Sequence, residues 1–397
     1  SRNNFSYFAI WKRFFKIITK YYLMNSRAAV LHSMGLERPY NISQPLKIEN
    51  VNLDPPGLNE VIIQIKAAGL CHSDLSVIDG NRPRPLPMVL GHEASGIVVE
   101  KGRNVKKLDI GDHVVFSFLP SCGFCSYCES GKAALCEPGN IANANGTLLS
   151  GNRKISYNSK YYNHHLGVSG FSEFSVATEE SLIKIEKDLP FDIAALFGCA
   201  VITGVGAVIN SAEFKFGETL LVIGLGGVGL SAILGAKAAG ASKIIAADIN
   251  SKKGSLAKSF GADIFIDSSD NDSYKKIHDI TNGGVDTALE FAGAVSAINF
   301  AFKSTKKGGK TITAGLPNPK SLLEISPVEL VGQEKTIKGS YLGGSIPSRD
   351  IISYMNLYRA GKLPVEKLIS HKIKLDEINQ GFERLAKGEG IRQIITF

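Results

Sequence analysis

Cysteine is scarce in this chain of 397 residues: there are six. A large chain with so few cysteines and no convincing secretory signal is not a disulfide scaffold. That points to a cytosolic thiol setting. Long apolar runs are missing too; none is read as reaching the roughly 18 residues of a transmembrane helix, so no membrane role is expected. Internal repeats and low-complexity tracts are absent. Acidic residues are lacking from residues 1–23, which carry Arg2, Lys12, Arg13, Lys16 and Lys20. Those five charges leave +3 of the net +8 for the rest of the chain. No basic stripe interleaved with aromatics follows, which excludes a nucleic-acid partner for the body of the protein. Residues 1–23 read most simply as upstream or non-native sequence. A transit peptide for mitochondrial import and a surface amphipathic helix are the other readings, and Lys20 breaks any secretory apolar core.

What is present is 44% hydrophobic residues and 41 glycines, enough for two ordinary domains with cores of their own. Residues 27–120 read as many short strands with turns, a β-rich unit. Residues 137–170 are polar and rich in Gly and Asn, and are expected to form a long loop. From about residue 217 the rhythm changes to apolar strands alternating with Ala/Leu/Lys helices, the βαβ pattern of a parallel sheet covered on both faces. The fold class is therefore α/β.

Four of the six cysteines crowd into CGFCSYCESGKAALC, as Cys122, Cys125, Cys128 and Cys136. In a thiol setting such spacing is a metal site: each C-x-x-C turn aims two thiolates at one ion, and four thiolates close a zinc tetrahedron. With no position left for water, that zinc is structural. A redox C-x-x-C pair would need a thioredoxin-like βαβ context, which is absent here. The other two cysteines are Cys71, in CHSD, and Cys199, in GCAVITGVG; His92 stands in LGHE. Taken singly, each is a small buried residue. Together they offer two thiolates and an imidazole, the Cys₂His catalytic set of which alcohol dehydrogenase is the known example. Asp74 fits the carboxylate that orients a metal-bound imidazole, against a plain turn cap. Glu93, next to His92, is read as tuning the field at the metal, against a local ion pair.

The segment VIGLGGVG places Gly224, Gly226 and Gly229 between an apolar strand and an Ala-rich helix, as pyrophosphate binding at a helix N-terminus requires. Asp248 closes the next strand. A carboxylate there accepts hydrogen bonds from the ribose hydroxyls and repels a 2′-phosphate, which predicts NAD over NADP.

These motifs together resemble the zinc-dependent medium-chain alcohol dehydrogenases over about residues 25–397, in the long-loop, dimeric branch. The resemblance implies a GroES-like β-rich catalytic domain (24–200 and 342–397, with a zinc lobe at about 119–139) and a Rossmann NAD-binding domain (201–341). It implies two zinc ions per chain, a homodimer, and hydride transfer between NAD and a small alcohol or its aldehyde or ketone. A zinc at the Cys₂His set would act as a Lewis acid on the alcohol oxygen. By the same resemblance Gly227 completes the phosphate loop and Lys253 flanks the ribose. Arg392 reaches the pyrophosphate, Thr203 and Val228 press on the nicotinamide, and Ser73 takes the alcohol proton. Phe118, Leu316 and Tyr341 form an inner wall that suits a neutral apolar alcohol.

Several positions depart from the family pattern. Ser76 stands where many relatives end the proton relay in histidine, which leaves solvent or His72 as the exit. His72 stands where many relatives grip pyrophosphate with arginine. The glutathione-dependent formaldehyde dehydrogenases, which act on S-(hydroxymethyl)glutathione, are the alternative reading. They carry acids near the segment that here is NRPRP, and an arginine where this chain has Asn140. Arg82 and Arg84 of NRPRP would suit a carboxylate-bearing substrate, or else lie in a solvated loop. A non-catalytic NAD- and zinc-binding protein and a zinc-free reductase of the same superfamily are the remaining readings, and every zinc ligand and loop glycine being present argues against both.

Overall fold

The computed structural model describes residues 24–270 and 272–397. Residues 1–23, with all three readings of the leader, lie outside the described residues.

The period-two runs of the first third become strands of two sheets. Met24–Leu31, Leu46–Leu53, Ile155–Tyr157, Lys160–His164 and Met88–Val89 close into a small barrel. Glu60–Gly69 is the hub of a seven-stranded sheet. It pairs antiparallel with Ala94–Lys101, Phe174–Thr178 and the chain's last strand, Arg392–Thr396. The tail thus returns to the first sheet and sets Ile394 opposite Gly69. That return carries Arg392 to the turn that begins with Cys71.

The apolar runs after residue 217 become a six-stranded, all-parallel sheet. Numbered within that sheet by chain order, its strands lie 3-2-1-4-5-6, the order of a dinucleotide-binding sheet. The strands Thr219–Ile223, Lys243–Asp248 and Val285–Glu290 are buried along most of their length, as a sheet covered on both faces demands.

Two expectations need correcting. The segment 137–170 is not a loop. Glu137–Asn145 is a helix with Pro138 in its first turn and Gly146 at its left-handed end. A hairpin follows, in which Asn158 (φ 47°) and Ser159 (φ 62°) both take positive φ, the two-residue turn that matches strand twist. The polar composition hid a short capped helix and a narrow hairpin. Secondly, one apolar run is long. Phe191–Ser211 is a 21-residue helical stretch, and 83% of its apolar window is buried inside the protein. Ala194, Val201 and Val205 pack into the main core. The division at 200/201 falls inside this helix, which packs on Glu60–Gly69 and Ala94–Lys101 at its start and on the helix Gly227–Ala238 further along. Two of its turns, Phe197–Val201 and Ala207–Ser211, are wound wider than α-helix; such turns recur at functional sites.

Candidate active site

Three distant elements deliver three donors to one point. Cys71 caps the short helix His72–Ile78 directly after the hub strand. His92 sits in the turn before Ala94–Lys101, where Gly91 (φ 95°) allows a close approach to Phe171. Cys199 projects from the wide turn of the long helix. Their ligand atoms all lie within 4.8 Å of one another, and all three residues are buried. His92 Nε2 is 3.3 Å from Cys199 Sγ. The hydrogen bond between the two thiols draws Cys71 well below the ordinary thiol range and pushes Cys199 well above it. Burial opposes charge on His92, but Asp74 and the Cys71 sulfur outweigh it. Two sulfurs and an imidazole forced together, with negative charge concentrated on one thiol, form a donor set that fits zinc.

Asp74 serves both proposed purposes at once. Its Oδ2 accepts the backbone N–H of Cys71 (3.3 Å), which caps the helix, and its Oδ1 lies 3.0 Å from His92 Nδ1. With Nδ1 so engaged, Nε2 is left to face the cluster. Glu93 is fully buried against Gly69, and burial pushes its carboxyl up to about 7 against the pull of Arg392. Arg392 Nη2 lies 3.8 Å from Glu93 Oε2, and its Nη1 donates to the Leu70 carbonyl (3.0 Å). Its Nε is buried without a partner beside Gly227. Arg392 therefore joins the metal cluster to the phosphate loop.

In that loop each glycine has a separate steric reason. Gly224 takes φ 88°, and a Cβ there would strike Ala292. A Cβ on Gly229 would collide with the Gly224 carbonyl, so the helix Gly227–Ala238 could not seat on its strand. Gly226 alone faces open space, at the N-terminus of that helix. This is the division of labour a pyrophosphate cradle needs: one turn, one packing contact, one open approach. Asp248 is buried at its strand end. Its Oδ2 accepts Leu225 N (2.8 Å) and pairs with Lys253 Nζ (3.0 Å), so the two predicted ribose residues stand together. A second cavity, of about 600 Å³, opens beside Gly224 and Asp248.

The lobe is built differently. The sulfurs of Cys122, Cys125, Cys128 and Cys136 also lie within 4.8 Å of one another. Backbone amides already point at them: Cys122 N is 3.2 Å from Cys136 Sγ, and Cys125 N is 3.3 Å from Cys122 Sγ. The backbone amide of Cys128 draws the Cys125 thiol down to about 6, while burial pushes Cys128 up to about 12. Around them Phe124, Tyr127, Leu135 and Ile141 are exposed. The lobe has almost no apolar core, so a metal fits as its organising centre.

Comparison with known proteins agrees with this layout. A family model for the alcohol dehydrogenase GroES-like domain matches residues 57–187, and one for zinc-binding dehydrogenases matches residues 227–359. Alcohol dehydrogenase class-3 of Drosophila melanogaster is 37% identical over 364 residues, covering 90% of this chain and 96% of its own. Alcohol dehydrogenase class-P of Arabidopsis thaliana is 37% identical over 362 residues, covering 90% of this chain and 95% of its own. The crystal structure of benzyl alcohol dehydrogenase from Acinetobacter calcoaceticus superposes with a TM-score of 0.88 at 34% identity, over 94% of this chain and 100% of that one. The chain belongs to the zinc-dependent medium-chain alcohol dehydrogenase family. Zinc and NAD are the cofactors of this alcohol dehydrogenase fold, and the residues described above fit both.

Within this alcohol dehydrogenase the metal cluster opens into a cavity of about 150 Å³. Ser73, Phe118 and Arg82 reach it from the catalytic side, and Thr203 and Val228 from the cofactor side. Leu316 and Tyr341 also line it, but at the rim: they are 57% and 39% exposed, not inner-wall residues. His72 does not line that cavity; its side chain keeps an exposed face, and desolvation, with help from Arg392 and Lys253, lowers its pKa. Ser76 Oγ donates to the His72 carbonyl (2.9 Å), so it is tied to its own helix. Asn140 is exposed on the lobe's following helix.

Several cavity residues were not picked out from sequence, His165, Phe291 and Ala314 among them. His165 is buried, 3.3 Å from Asp74 Oδ1 through its Nδ1, and stacks edge-on with His92 at 5.7 Å between ring centres. Its place within the supposed loop concealed it. Phe291 and Ala314 directly follow parallel strands. The rule that ligands gather at the carboxyl ends of such strands would have found them.

Proposed function

We propose that this chain catalyses the reversible oxidation of a primary or secondary alcohol to an aldehyde or ketone, with Cys71, His92 and Cys199 as the catalytic zinc ligands and the four lobe cysteines as a structural set. The observation that carries the reading is the meeting of those three donors in a cavity that Thr203 and Val228 enter from the cofactor side. When bound, zinc supplies Lewis acidity and NAD accepts the hydride.

The residues do the rest. Asp74 holds the His92 ring in one tautomer and orientation. Glu93 and Arg392 form a buried pair behind the cluster; breaking such a pair costs about 3–5 kcal/mol. Gly226 and the helix N-terminus receive pyrophosphate, with Arg392 beside Gly227, while Asp248 and Lys253 receive the ribose. Thr203 and Val228 bear on the ring that takes the hydride. Ser73 passes the substrate proton outward. Ser76 is already committed to a carbonyl, so the path leaves by His72 or solvent.

Purified protein should contain about two zinc ions per chain and form NADH from at least one member of an alcohol panel that includes S-(hydroxymethyl)glutathione. Full zinc content with no NADH from any alcohol would sink the reading and leave a binding protein. A homodimer is part of the proposal. The edge strand Thr336–Gly339 is largely exposed, and Leu322, Val328 and Val331 beside it are 84%, 82% and 76% exposed. Two copies could continue the parallel sheet across a two-fold axis; light scattering giving a monomer mass would refute it.

A further inference from the structure

The cavity that holds the metal donors has a charged mouth. Arg82 and Arg84 both line it, and no Asp or Glu does. Arg38, Arg349, Arg359 and Arg392 each pair with a carboxylate, while Arg153 and Arg384 bond neutral groups away from the cavity. Among the described residues no carboxylate lies within ion-pair distance of Arg82 or Arg84. The nearby Asp79 is engaged by Asn81, through its backbone N–H and its side-chain amide, both at 2.9 Å.

The two arginines are held in place, not adrift. Arg82 N donates to the Ser76 carbonyl (2.8 Å), and Arg82 Nη2 donates to the Leu316 carbonyl (3.0 Å). Arg84 Nη1 donates to the Asn143 carbonyl (3.4 Å). Each guanidinium has five N–H donors, so each keeps several free. Both side chains are half-buried, and burial together with Arg84 lowers the pKa of Arg82, although a guanidinium stays charged. Tyr341 lines the same cavity, its ring 6.3 Å from that of Phe118. From bottom to top the cavity therefore runs from thiols and imidazole, past Phe118, to two uncompensated positive charges.

Resting on the alcohol oxidation proposed above, we propose that Arg82 and Arg84 form an oxyanion subsite, so that the preferred alcohol or aldehyde carries a carboxylate or phosphate at the end remote from its reacting carbon. An apolar spacer between the two polar ends matches the Phe118 wall. Charge-assisted forks of this kind are among the stronger recognition contacts a half-buried site can make.

The test compares kcat/KM for ω-hydroxy carboxylates, ω-hydroxyalkyl phosphates and alkan-1-ols of matched and increasing chain length, with NAD. One anionic series should exceed the alkanols by roughly tenfold to a hundredfold, mainly through KM. Which anionic series leads decides between carboxylate and phosphate. The ratio of anionic to neutral substrate should fall towards one in Arg82→Ala and Arg84→Ala, and Arg82→Lys should restore only part of it. Wild-type enzyme that oxidises alkanols as well as or better than both anionic series would overturn the subsite and leave the alcohol dehydrogenase reading standing. No NADH from any series would instead overturn that reading. The wild-type comparison decides the matter even if a variant fails to fold.

Discussion

The protein gathers thiols twice, in opposite ways. The lobe takes four cysteines from one short stretch, three of them part-exposed, with backbone amides aimed at sulfur. The cavity takes two cysteines and a histidine from three elements, all buried, with a carboxylate behind the imidazole. A local cluster can form before the rest of the chain folds and needs only a metal to hold it. A dispersed cluster exists only once the seven-stranded sheet and the helix Phe191–Ser211 are in place. The first shape suits stability and the second suits chemistry, because three donors meet at the cavity and one side remains for substrate.

The sharpest way to break this contrast is to remove one donor from each cluster. Cys199→Ser should abolish nearly all activity, a loss of several orders of magnitude in kcat/KM, while one zinc remains per chain and the unfolding midpoint moves little. Cys128→Ser should do the reverse. Structural zinc contributes on the order of 10 kcal/mol or more in small modules, so the lobe should become sensitive to protease and the midpoint should fall. If Cys199→Ser unfolds the protein and Cys128→Ser spares it, the contrast is wrong.

A finer comparison concerns what stands behind the sulfurs and the ring. Asp74→Asn keeps the shape but weakens the hold on His92, and should lower catalytic-zinc affinity or kcat by about 10- to 100-fold without touching the lobe zinc. Metal analysis after mild chelation would show it.

The smallest effect lies outside both clusters. Glu383 is held by Arg38 (3.2 and 2.8 Å) and by Tyr40 N (3.0 Å), which draws its carboxyl from its ordinary 4.5 down to about 2. A depressed pKa means its stabilisation is present in full above about 4.5 and disappears as pH falls to about 2. Glu383→Gln should therefore be slightly less stable than wild type at neutral pH, with the gap closing through that acid window. A gap of constant size in denaturant titrations at both ends would show that Glu383 stabilises without its charge.

Legibility in the sequence followed locality. The lobe, the glycine turn from Gly224 to Gly229 and the alternation after residue 217 each lie within one short segment, where spacing dictates geometry. The segment 137–170 failed because polar composition masked a capped helix and a hairpin that the barrel needs. Phe191–Ser211 failed because its glycines, Cys199 and Thr203 interrupt a run that burial makes continuous.

By itself the sequence determined the donor types, the phosphate loop and the preference written into Asp248, because each depends on residues within a turn or two of one another. Only the tertiary structure decided which donors share a cavity, that His165 stands behind Asp74, that Arg392 spans from metal cluster to cofactor loop, and that Arg82 and Arg84 face inward without a counter-charge. Those are contacts between segments tens to hundreds of residues apart, and the return of the last strand to the first sheet is what brings them together.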